Sequence, residues 1–256
     1  MTNYRLLGRD EPAPFVVHRP NGRSDLFLTC DHAGKRIPQR LGDLGLPASE
    51  RERHIAWDIG ILETTKLISE RLDATLVEQV YSRLVCDCNR APDMPSFIAT
   101  ISELTEIPAN RNLPAEEIAA RIAEIHKPYH DRIVELLDAR AAEGKRSVLI
   151  AMHSFTPVFK GVSRPWQIGL LYNRDRRVAD ILKELLAGTG LTVGDNEPYA
   201  ITDTSDYGIP VHGEQRGIPH IEIEIRQDLI AAPAGQREWA DRLAPMFEEV
   251  LQRLPR

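Results

Sequence analysis

The stretch Ser147-Val-Leu-Ile-Ala-Met-His153-Ser154 is an apolar run with strand character that ends on a histidine and a small polar residue. The stretch Asp25-Leu-Phe-Leu-Thr-Cys-Asp-His32-Ala-Gly is built in the same way. In an open α/β sheet, ligands and catalytic groups lie beyond the carboxyl ends of the strands. Two histidines delivered there by separate strands, with carboxylates nearby, indicate a metal-dependent hydrolase.

Predicted strands alternate with predicted helices along the rest of the chain. This alternation predicts an α/β fold in which a mixed, largely parallel sheet is covered by helices on both faces. We expect a single domain over residues 1–256, with residues 1 to about 24 as an irregular lead-in. The predicted strands are 25–31, 73–79, 84–87, 147–152, 167–172, 191–193 and 218–225, and the predicted helices are 60–72, 114–143, 176–186 and 236–251.

Two segments carry further expectations. Pro128 lies inside the long helical pattern and should kink or split it, because proline cannot donate the helical hydrogen bond. The stretch from Ala91 to Pro114 is rich in proline, asparagine and serine and shows no clear period. Connections of this length are usually functional or mobile.

The composition of the chain argues against two classes of function, nucleic-acid binding and membrane insertion. The 256 residues carry a formal net charge of −6, which argues against a general nucleic-acid binder. No apolar run is long enough to span a bilayer, and the first residues lack the apolar core of a signal peptide. We therefore expect a cytoplasmic protein without a membrane partner. A small anionic substrate remains compatible with the charge, since one or two arginines suffice to bind it.

The three cysteines, Cys30, Cys86 and Cys88, all lie inside apolar runs. Free cysteine is often buried, so we interpret them as small core residues. A catalytic thiol or a soft metal site is the alternative.

His32 and His153 are the candidate metal ligands. A histidine in a loop is often a surface residue, but one that ends an apolar strand needs a polar partner. Catalytic zinc typically takes three protein ligands, often two histidines and a carboxylate, and keeps one position open for water. Asp58 is one candidate for the carboxylate ligand, and its alternative role is a helix N-cap. Asp87 is a candidate for a carboxylate that orients a ligand histidine. The remaining carboxylate candidates are Asp31, Glu222 and Glu224.

The strand His220-Ile-Glu222-Ile-Glu224-Ile-Arg226 alternates strictly, so its polar residues share one face. On an edge strand this face would be exposed to solvent. Near the centre of a sheet, the carboxylates would need a metal-bound water, an arginine or a substrate as a partner. A glutamate beside such a water can act as a general base.

The motif Arg83-Leu-Val-Cys-Asp-Cys-Asn89-Arg90-Ala-Pro92 offers two arginines for an anionic substrate. Arginine binds a carboxylate through two parallel hydrogen bonds, a geometry that lysine cannot copy. A surface turn is the alternative for Asn89-Arg90, and Pro92 is typical of such a turn.

In this order and spacing, the motifs resemble those of the N-formylglutamate amidohydrolases. The fold of that family is similar to the fold of zinc carboxypeptidases and aspartoacylase, also called phosphorylase/hydrolase-like. The resemblance extends from roughly Leu26 to Arg226. Its landmarks are Asp31-His32-Ala-Gly34 with Pro38, Ala56-Trp57-Asp58, Tyr81-Ser82-Arg83 through Asp87-Cys-Asn89-Arg90-Ala-Pro92, Met152-His153-Ser154, His212, and Ile223-Glu224-Ile-Arg-Gln227.

The resemblance implies one bound zinc ion, or another divalent metal, with His32 and His153 as ligands. We choose Asp58 as the third ligand. Glu224 corresponds to the general base or acid, and Glu222 is the fallback for that role.

The resemblance also implies a set of substrate contacts. Asn89 and Arg90 would hold a substrate carboxylate, and Arg83 would assist or polarise the scissile carbonyl. His212 matches a polar position in a loop that would cover the site. We add Arg226 as a further candidate for substrate binding.

We therefore expect a zinc-dependent amidohydrolase of amino-acid catabolism that cleaves the amide bond of a small N-acyl amino acid such as N-formylglutamate. A carboxypeptidase or another N-acyl amino acid deacylase on the same scaffold is the first alternative, and a non-catalytic binding protein is the second. Two motifs depart from the family pattern. Cys30-Asp-His-Ala-Gly stands in place of Pro-His-Ser-Gly, and Ala56 stands where an acid precedes the tryptophan. These departures indicate a divergent branch, whose substrate can differ from N-formylglutamate itself.

Overall fold

The computed structural model describes residues 4–255. Numbered along the chain, the strands are β1 (Phe15–His18), β2 (Leu26–Cys30), β3 (Thr75–Gln79), β4 (Ile101–Ser102), β5 (Thr105–Glu106), β6 (Val148–Phe155), β7 (Val158–Phe159), β8 (Val162–Ser163), β9 (Ile168–Leu171), β10 (Val193–Asp195) and β11 (His220–Arg226). Seven of them form one sheet in the order β1-β3-β2-β6-β11-β9-β10. The other four form the two hairpins β4–β5 and β7–β8.

The sheet is mixed and largely parallel, as predicted. β2 pairs in parallel with β3 and with β6, β6 with β11, and β9 with β10. Two pairings are antiparallel, β1 with β3 at one edge and β9 with β11 inside the sheet. Because β2, β6 and β11 run in the same direction, the segments that follow them meet at one edge of the sheet.

Helices cover both faces, which confirms the predicted α/β class with a single domain. α2, α5 and α6 pack on one apolar face, and α3 and α4 pack on the other. The helices are α1 (Ala48–Arg51), α2 (Ile61–Leu72), α3 (Ala115–Arg121), α4 (Lys127–Ala142), α5 (Arg177–Leu186) and α6 (Pro233–Arg253), with 3-10 turns at Gln39–Leu41, Pro108–Asn110 and Gln227–Leu229 and π-helical segments at Ile122–His126 and Ile209–Glu214. Between residues 4 and 255, no helix has the length and apolarity to cross a membrane.

Strand alternation places the polar residues of β11 on one face. Ile221, Ile223 and Ile225 pack into the apolar cluster under α2, α5 and α6. Glu222 and Glu224 therefore point to the opposite face. β11 lies between β6 and β9, and its residues are buried up to Ile225, so the exposed edge-strand interpretation is wrong.

Three segments differ from the sequence-based expectation. The irregular lead-in is wrong at Phe15–His18, whose apolar residues pair with β3, while residues 1–3 lie outside the described part of the chain. The predicted strand over 84–87 is wrong as well. The Asp87 N–H bonds to the carbonyl of Phe97 instead of to a strand, so this buried segment folds in turns. The long connection 91–114 contains the hairpin β4–β5.

The break expected at Pro128 takes the form of a π-helical segment. Ile122–His126 joins α3 to α4 in one helical run. Pro128 is the second residue of α4, and because it has no N–H it cannot donate to a carbonyl of the preceding π-helical turn. The helix is therefore widened one turn before the proline and is not split into two.

Gly60 connects Asp58 to α2 at a point where the backbone is crowded. Its φ is +79°, and a Cβ there would lie 2.0 Å from the carbonyl oxygen of Ile230. Only glycine combines this left-handed conformation with so close an approach.

We expect Gly60→Ala to lower the free energy of unfolding by at least about 3 kcal/mol, because left-handed strain adds to steric overlap. Gly144→Ala is the matched control, since Gly144 has a φ of +69° and nothing within 4 Å of a Cβ. It should lose only about 1–2 kcal/mol, the left-handed penalty alone. Urea unfolding followed by circular dichroism measures both losses, and equal losses would refute the role of the Ile230 contact.

Candidate active site

The candidate active site lies at the carboxyl edge of the central strands. His153 is near the end of β6, His32 follows β2 by two residues, and Asp58 lies in the loop before α2. β2 and β6 are parallel neighbours, so both histidines emerge at the same edge. All three side chains are buried. The structure thus brings together the three residues predicted as metal ligands.

One nitrogen of each histidine and one oxygen of Asp58 face one another. His153 Nδ1 lies 3.2 Å from His32 Nδ1 and 3.1 Å from Asp58 Oδ2. His32 Nδ1 lies 3.6 Å from the same oxygen. Ligand atoms bound at 2.0–2.1 Å to a tetrahedral zinc ion stand roughly 3.3 Å apart. The three atoms therefore have the spacing of a zinc ligand set.

The far nitrogen of each histidine faces a carboxylate. His32 Nε2 lies 2.6 Å from Asp87 Oδ1, and Arg83 Nη2 donates to Asp87 Oδ2 at 2.7 Å. His153 Nε2 lies 3.6 Å from Asp31 Oδ2. Carboxylates in this position orient ligand histidines and increase their basicity. The contact to His32 is the one the sequence suggested for Asp87.

The charges around the triad favour a cation. Burial alone would raise the pKa of Asp58, but His32 and His153 hold it below its usual value. Burial opposes a charge on His153, yet the carboxylates of Glu222, Asp31 and Asp58 raise its pKa well above the ordinary value. Because the carboxylates around His153 stabilise a positively charged imidazolium, they would also stabilise a bound cation. The nitrogen and oxygen donors of the triad are suited to zinc or another divalent ion.

Glu222 and Glu224 stand beside the triad on β11. Glu224 is in register with His153 on β6, and Glu222 with Ala151. Donor atoms of His153, Glu222 and Glu224 lie within 4.8 Å of one another. Burial raises the pKa of Glu222 to about 7 and that of Glu224 well above its usual value. Glu224 Oε2 is buried and accepts no hydrogen bond from any residue between 4 and 255.

A cavity of about 520 Å³ adjoins the triad. It is lined by eight of the ten predicted site residues, which are His32, Asp58, Arg83, Asn89, Arg90, His153, Glu222 and Glu224. Much of the remaining wall is apolar or aromatic and is formed by Ile55, Leu84, Ile101, Phe155, Phe159, Leu171, Tyr199 and Ile201. The cavity therefore combines a polar, titratable part with an extended apolar part.

Asn89 and Arg90 already contact a carboxylate of the protein. Asn89 Nδ2 donates to Asp206 Oδ1 at 3.1 Å, and Arg90 Nη1 lies 3.4 Å from the same oxygen. Asn89 Oδ1 accepts the backbone N–H groups of Tyr207 and Gly208 at 3.0 Å each. Asn89 is thus buried and bonded on both sides, so the surface-turn interpretation is wrong for it.

His212 and Arg226 do not line the cavity. His212 lies in the π-helical segment Ile209–Glu214 and not in a covering loop, and its Nε2 is 2.9 Å from His130 Nδ1. Arg226 turns to Asp228, with Nε and Oδ1 2.8 Å apart. Arg226 therefore contacts its near neighbour Asp228, and His212 contacts the buried ring of His130, although both were expected to contact the substrate.

Two further expectations are settled by side-chain contacts. The helix N-cap role for Asp58 is wrong, because α2 has Gly60 at its N-cap, and Asp58 Oδ2 accepts the N–H of Ser154 at 3.1 Å. The core interpretation of the cysteines is confirmed, since all three are free and buried. Burial raises the pKa of Cys30 to about 12, which disfavours a reactive thiolate.

Several residues at the site were not identified from the sequence. Tyr129 donates to Asp31 from α4, far along the chain. Arg164 is buried against the rings of Phe159 and Tyr199, at 4.5 and 4.7 Å, and its Nη1 donates to the Tyr199 hydroxyl at 2.8 Å. Arg164 lies between Ser163 and Pro165 in a stretch without a clear period, so the sequence carried no specific signal for this contact.

Comparison with known proteins gives the family. The family model described as FGase, N-formylglutamate amidohydrolase, matches residues 24–231, which is most of the chain. The chain belongs to the N-formylglutamate amidohydrolase family, as its motifs predict, and is an amidohydrolase. No curated protein matches the sequence significantly.

Two solved structures are similar over nearly the whole chain. The product of gene Atu2144 from Agrobacterium tumefaciens is 39% identical, with 97% of this chain and 98% of that chain covered and a TM-score of 0.94. The N-formylglutamate amidohydrolase from Ralstonia eutropha JMP134 is 20% identical, with 95% and 100% covered and a TM-score of 0.69. The second likeness shows a shared fold.

His130 and His212 form a buried pair next to the site. Their rings stack with centroids 5.1 Å apart, and His130 Nε2 lies 2.8 Å from the carbonyl oxygen of Cys88. Burial lowers the pKa of His212 to about 4 and that of His130 well below its ordinary value. Both imidazoles are therefore neutral in the folded protein at pH 7.

We expect this pair to make the protein less stable as the pH falls from 7 to 5. The unfolded chain binds a proton at His212 below pH 6.5, whereas the folded chain does so only near pH 4, so protons favour unfolding in this window. The loss from His212 is about 2 kcal/mol at pH 5. Urea unfolding of chelator-treated protein should show a shallower pH dependence for His212→Asn, and an unchanged slope would argue against a neutral buried His212.

Proposed function

We propose that this member of the N-formylglutamate amidohydrolase family is a zinc-dependent hydrolase of small, anionic N-acyl amino acids such as N-formylglutamate. Another divalent ion could take the place of zinc. The observation that carries the proposal is the position of Glu224, whose buried Oε2 accepts no hydrogen bond from residues 4–255, beside the donor triad of His32, Asp58 and His153. We also propose that the protein acts in amino-acid catabolism in the cytoplasm.

The residues of the chain have distinct parts in the proposed reaction. Zinc, when bound by the triad, lowers the pKa of a coordinated water and polarises a carbonyl oxygen. In the proposed reaction, Glu224 takes a proton at Oε2 from the water that attacks the amide carbonyl and returns it to the amine nitrogen as the C–N bond breaks. Its raised pKa suits a group that must both accept and release a proton. Glu222, 3.8 Å from His153 Nε2, is the fallback for this role.

Arg83 is the proposed electrostatic partner of the substrate carbonyl. It lines the cavity, and its Nη1 lies 3.6 Å from Asp58 Oδ1. Its ion pair with Asp87 keeps it charged and fixes its position. A fixed guanidinium beside the amide would stabilise the negative charge that develops on the carbonyl oxygen.

Arg90 and Asn89 remain the proposed contacts of the substrate carboxylate. Asp206 stands where that carboxylate would bind, so substrate binding requires Asp206 to move away from Arg90. Two carboxylates competing for one arginine repel each other. An anionic substrate would therefore shift the segment around Asp206 as it enters.

The complete ligand set favours catalysis over a purely binding role, and metal content tests it. We expect wild-type protein to hold one zinc ion per chain after dialysis, and His153→Ala to hold none. Asp87→Asn should bind zinc 10–100-fold more weakly, because it no longer orients His32. His18→Ala is the control, since His18 lies on β1 and contacts Glu78. Isothermal titration with zinc measures these affinities, and tight stoichiometric zinc in His153→Ala would refute the ligand assignment.

Turnover tests the reaction and the base. We expect the zinc-loaded protein to hydrolyse N-formyl- or N-acetylglutamate, and Glu224→Gln to lower kcat by about 10²–10⁴-fold because it cannot accept the proton. Glu222→Gln is the matched comparison and should lose less. Release of amino acid from acylated glutamates and from short peptides is measured in parallel. Cleavage of peptides alone would favour the carboxypeptidase alternative, and near wild-type turnover by Glu224→Gln would exclude it as the base.

A further inference from the structure

The cavity has more apolar surroundings than a formyl group requires. A volume of about 520 Å³ falls within the range of pockets that enclose drug-sized ligands, roughly 300–1,000 Å³. A formyl group contributes one carbon to a substrate. A cavity of this volume therefore has room for a much larger acyl group.

Most exposed apolar side chains between residues 4 and 255 lie in segments that contribute to this cavity, and two of them, Ile101 and Tyr199, line it. Between residues 4 and 255, six large apolar side chains are exposed. Five of them belong to three segments that contribute to the cavity wall. They are Ile101, Leu104, Val158, Val162 and Tyr199, and the sixth is Val16 on the edge strand β1. An exposed apolar patch next to a binding site is typical of a surface that contacts a ligand.

Two hairpins form this apolar rim. Ile101 of β4 and Phe159 of β7 both line the cavity. Val162 pairs with Phe159 across the β7–β8 hairpin, so the two side chains share a face. The hairpins are joined, because the Lys160 N–H donates to Glu103 Oε1 at 3.1 Å. Tyr199 lines the cavity as well and remains 43% exposed.

We propose that this rim, defined by Ile101, Phe159, Val162 and Tyr199, is a subsite for the apolar acyl chain of the substrate. The inference rests on the proposed function and extends it: N-acyl amino acids with medium-length aliphatic acyl groups are hydrolysed in preference to their N-formyl and N-acetyl counterparts. Continuity with the cavity identifies the occupant. An acyl chain attached to an amide beside Glu224 has to leave through the mouth, and there it would cover these side chains.

A chain-length series tests the subsite. The zinc-loaded protein is assayed with formyl-, acetyl-, hexanoyl- and octanoylglutamate, and the amino acid released is measured. Each fully buried methylene adds about fourfold in transition-state binding. Because the rim is partly open to water, we expect kcat/KM to rise at least tenfold from acetyl to octanoyl. Val162→Ser should lower the octanoyl-to-acetyl ratio about three- to tenfold, whereas the matched Val16→Ser should leave the ratio unchanged.

Binding of octanoate and acetate, measured by calorimetry, supplies a readout that needs no turnover. Octanoate should bind at least tenfold more tightly than acetate, and Val162→Ser should weaken the binding of octanoate. Hydrolysis of formyl- and acetylglutamate with a flat chain-length series would overturn the subsite and leave the proposed function standing. Octanoate binding without hydrolysis of any acylglutamate would support the subsite and overturn the proposed function. If Val162→Ser instead converts a dimer to a monomer and leaves both ratios unchanged, the rim is a contact between copies and the proposal is wrong.

Discussion

Burial of five carboxylates at one edge of the sheet is the constraint on which the site depends. Ionised carboxylates are unstable in a protein interior unless cations or hydrogen-bond donors surround them. Arg83 and the two histidines of the triad supply part of this compensation, and raised pKa values at the two glutamates supply another part. A divalent cation at the triad would complete it. The buried carboxylates are Asp31, Asp58, Asp87, Glu222 and Glu224.

The backbone meets this constraint by segregating polar from apolar side chains. The isoleucines of β11 pack under α2, α5 and α6, which leaves the other face of the same strand free for two glutamates. β9 contributes Gly169 next to Glu224, where a Cβ would lie 3.3 Å from the Glu224 Cβ and 2.3 Å from the Glu197 carbonyl oxygen. A larger residue would press on the proposed base. The position of Glu224 therefore depends on its neighbour strand as much as on its own.

The local periodicity of the sequence was sufficient to predict which face of a strand a side chain occupies and at which edge of the sheet it lies. Strand alternation predicted the shared face of Glu222 and Glu224, and apolar strands ending in His32 and His153 predicted the edge at which they meet. Local periodicity does not predict contacts between segments that are far apart in the sequence. Asp206 contacts Asn89 across more than one hundred residues of sequence. Residues 84–87 are as apolar as a strand yet fold in turns, and the Asp87 N–H donates to the carbonyl of Phe97. Periodicity reports burial, and burial alone does not distinguish a strand from a packed loop.

The site divides chemistry from selection between two kinds of element. The proposed ligand His153 and base Glu224 are held on central strands whose registers are fixed by hydrogen bonds on both sides. Three of the four rim residues belong to the hairpins β4–β5 and β7–β8, which stand outside the seven-stranded sheet and are joined to each other by the Lys160 N–H and Glu103 Oε1. Changes in a hairpin can therefore reshape the mouth without displacing a ligand atom. The rim can therefore accommodate a different acyl group while the triad and Glu224 stay in place. A change of substrate in this chain then requires no change in the reaction.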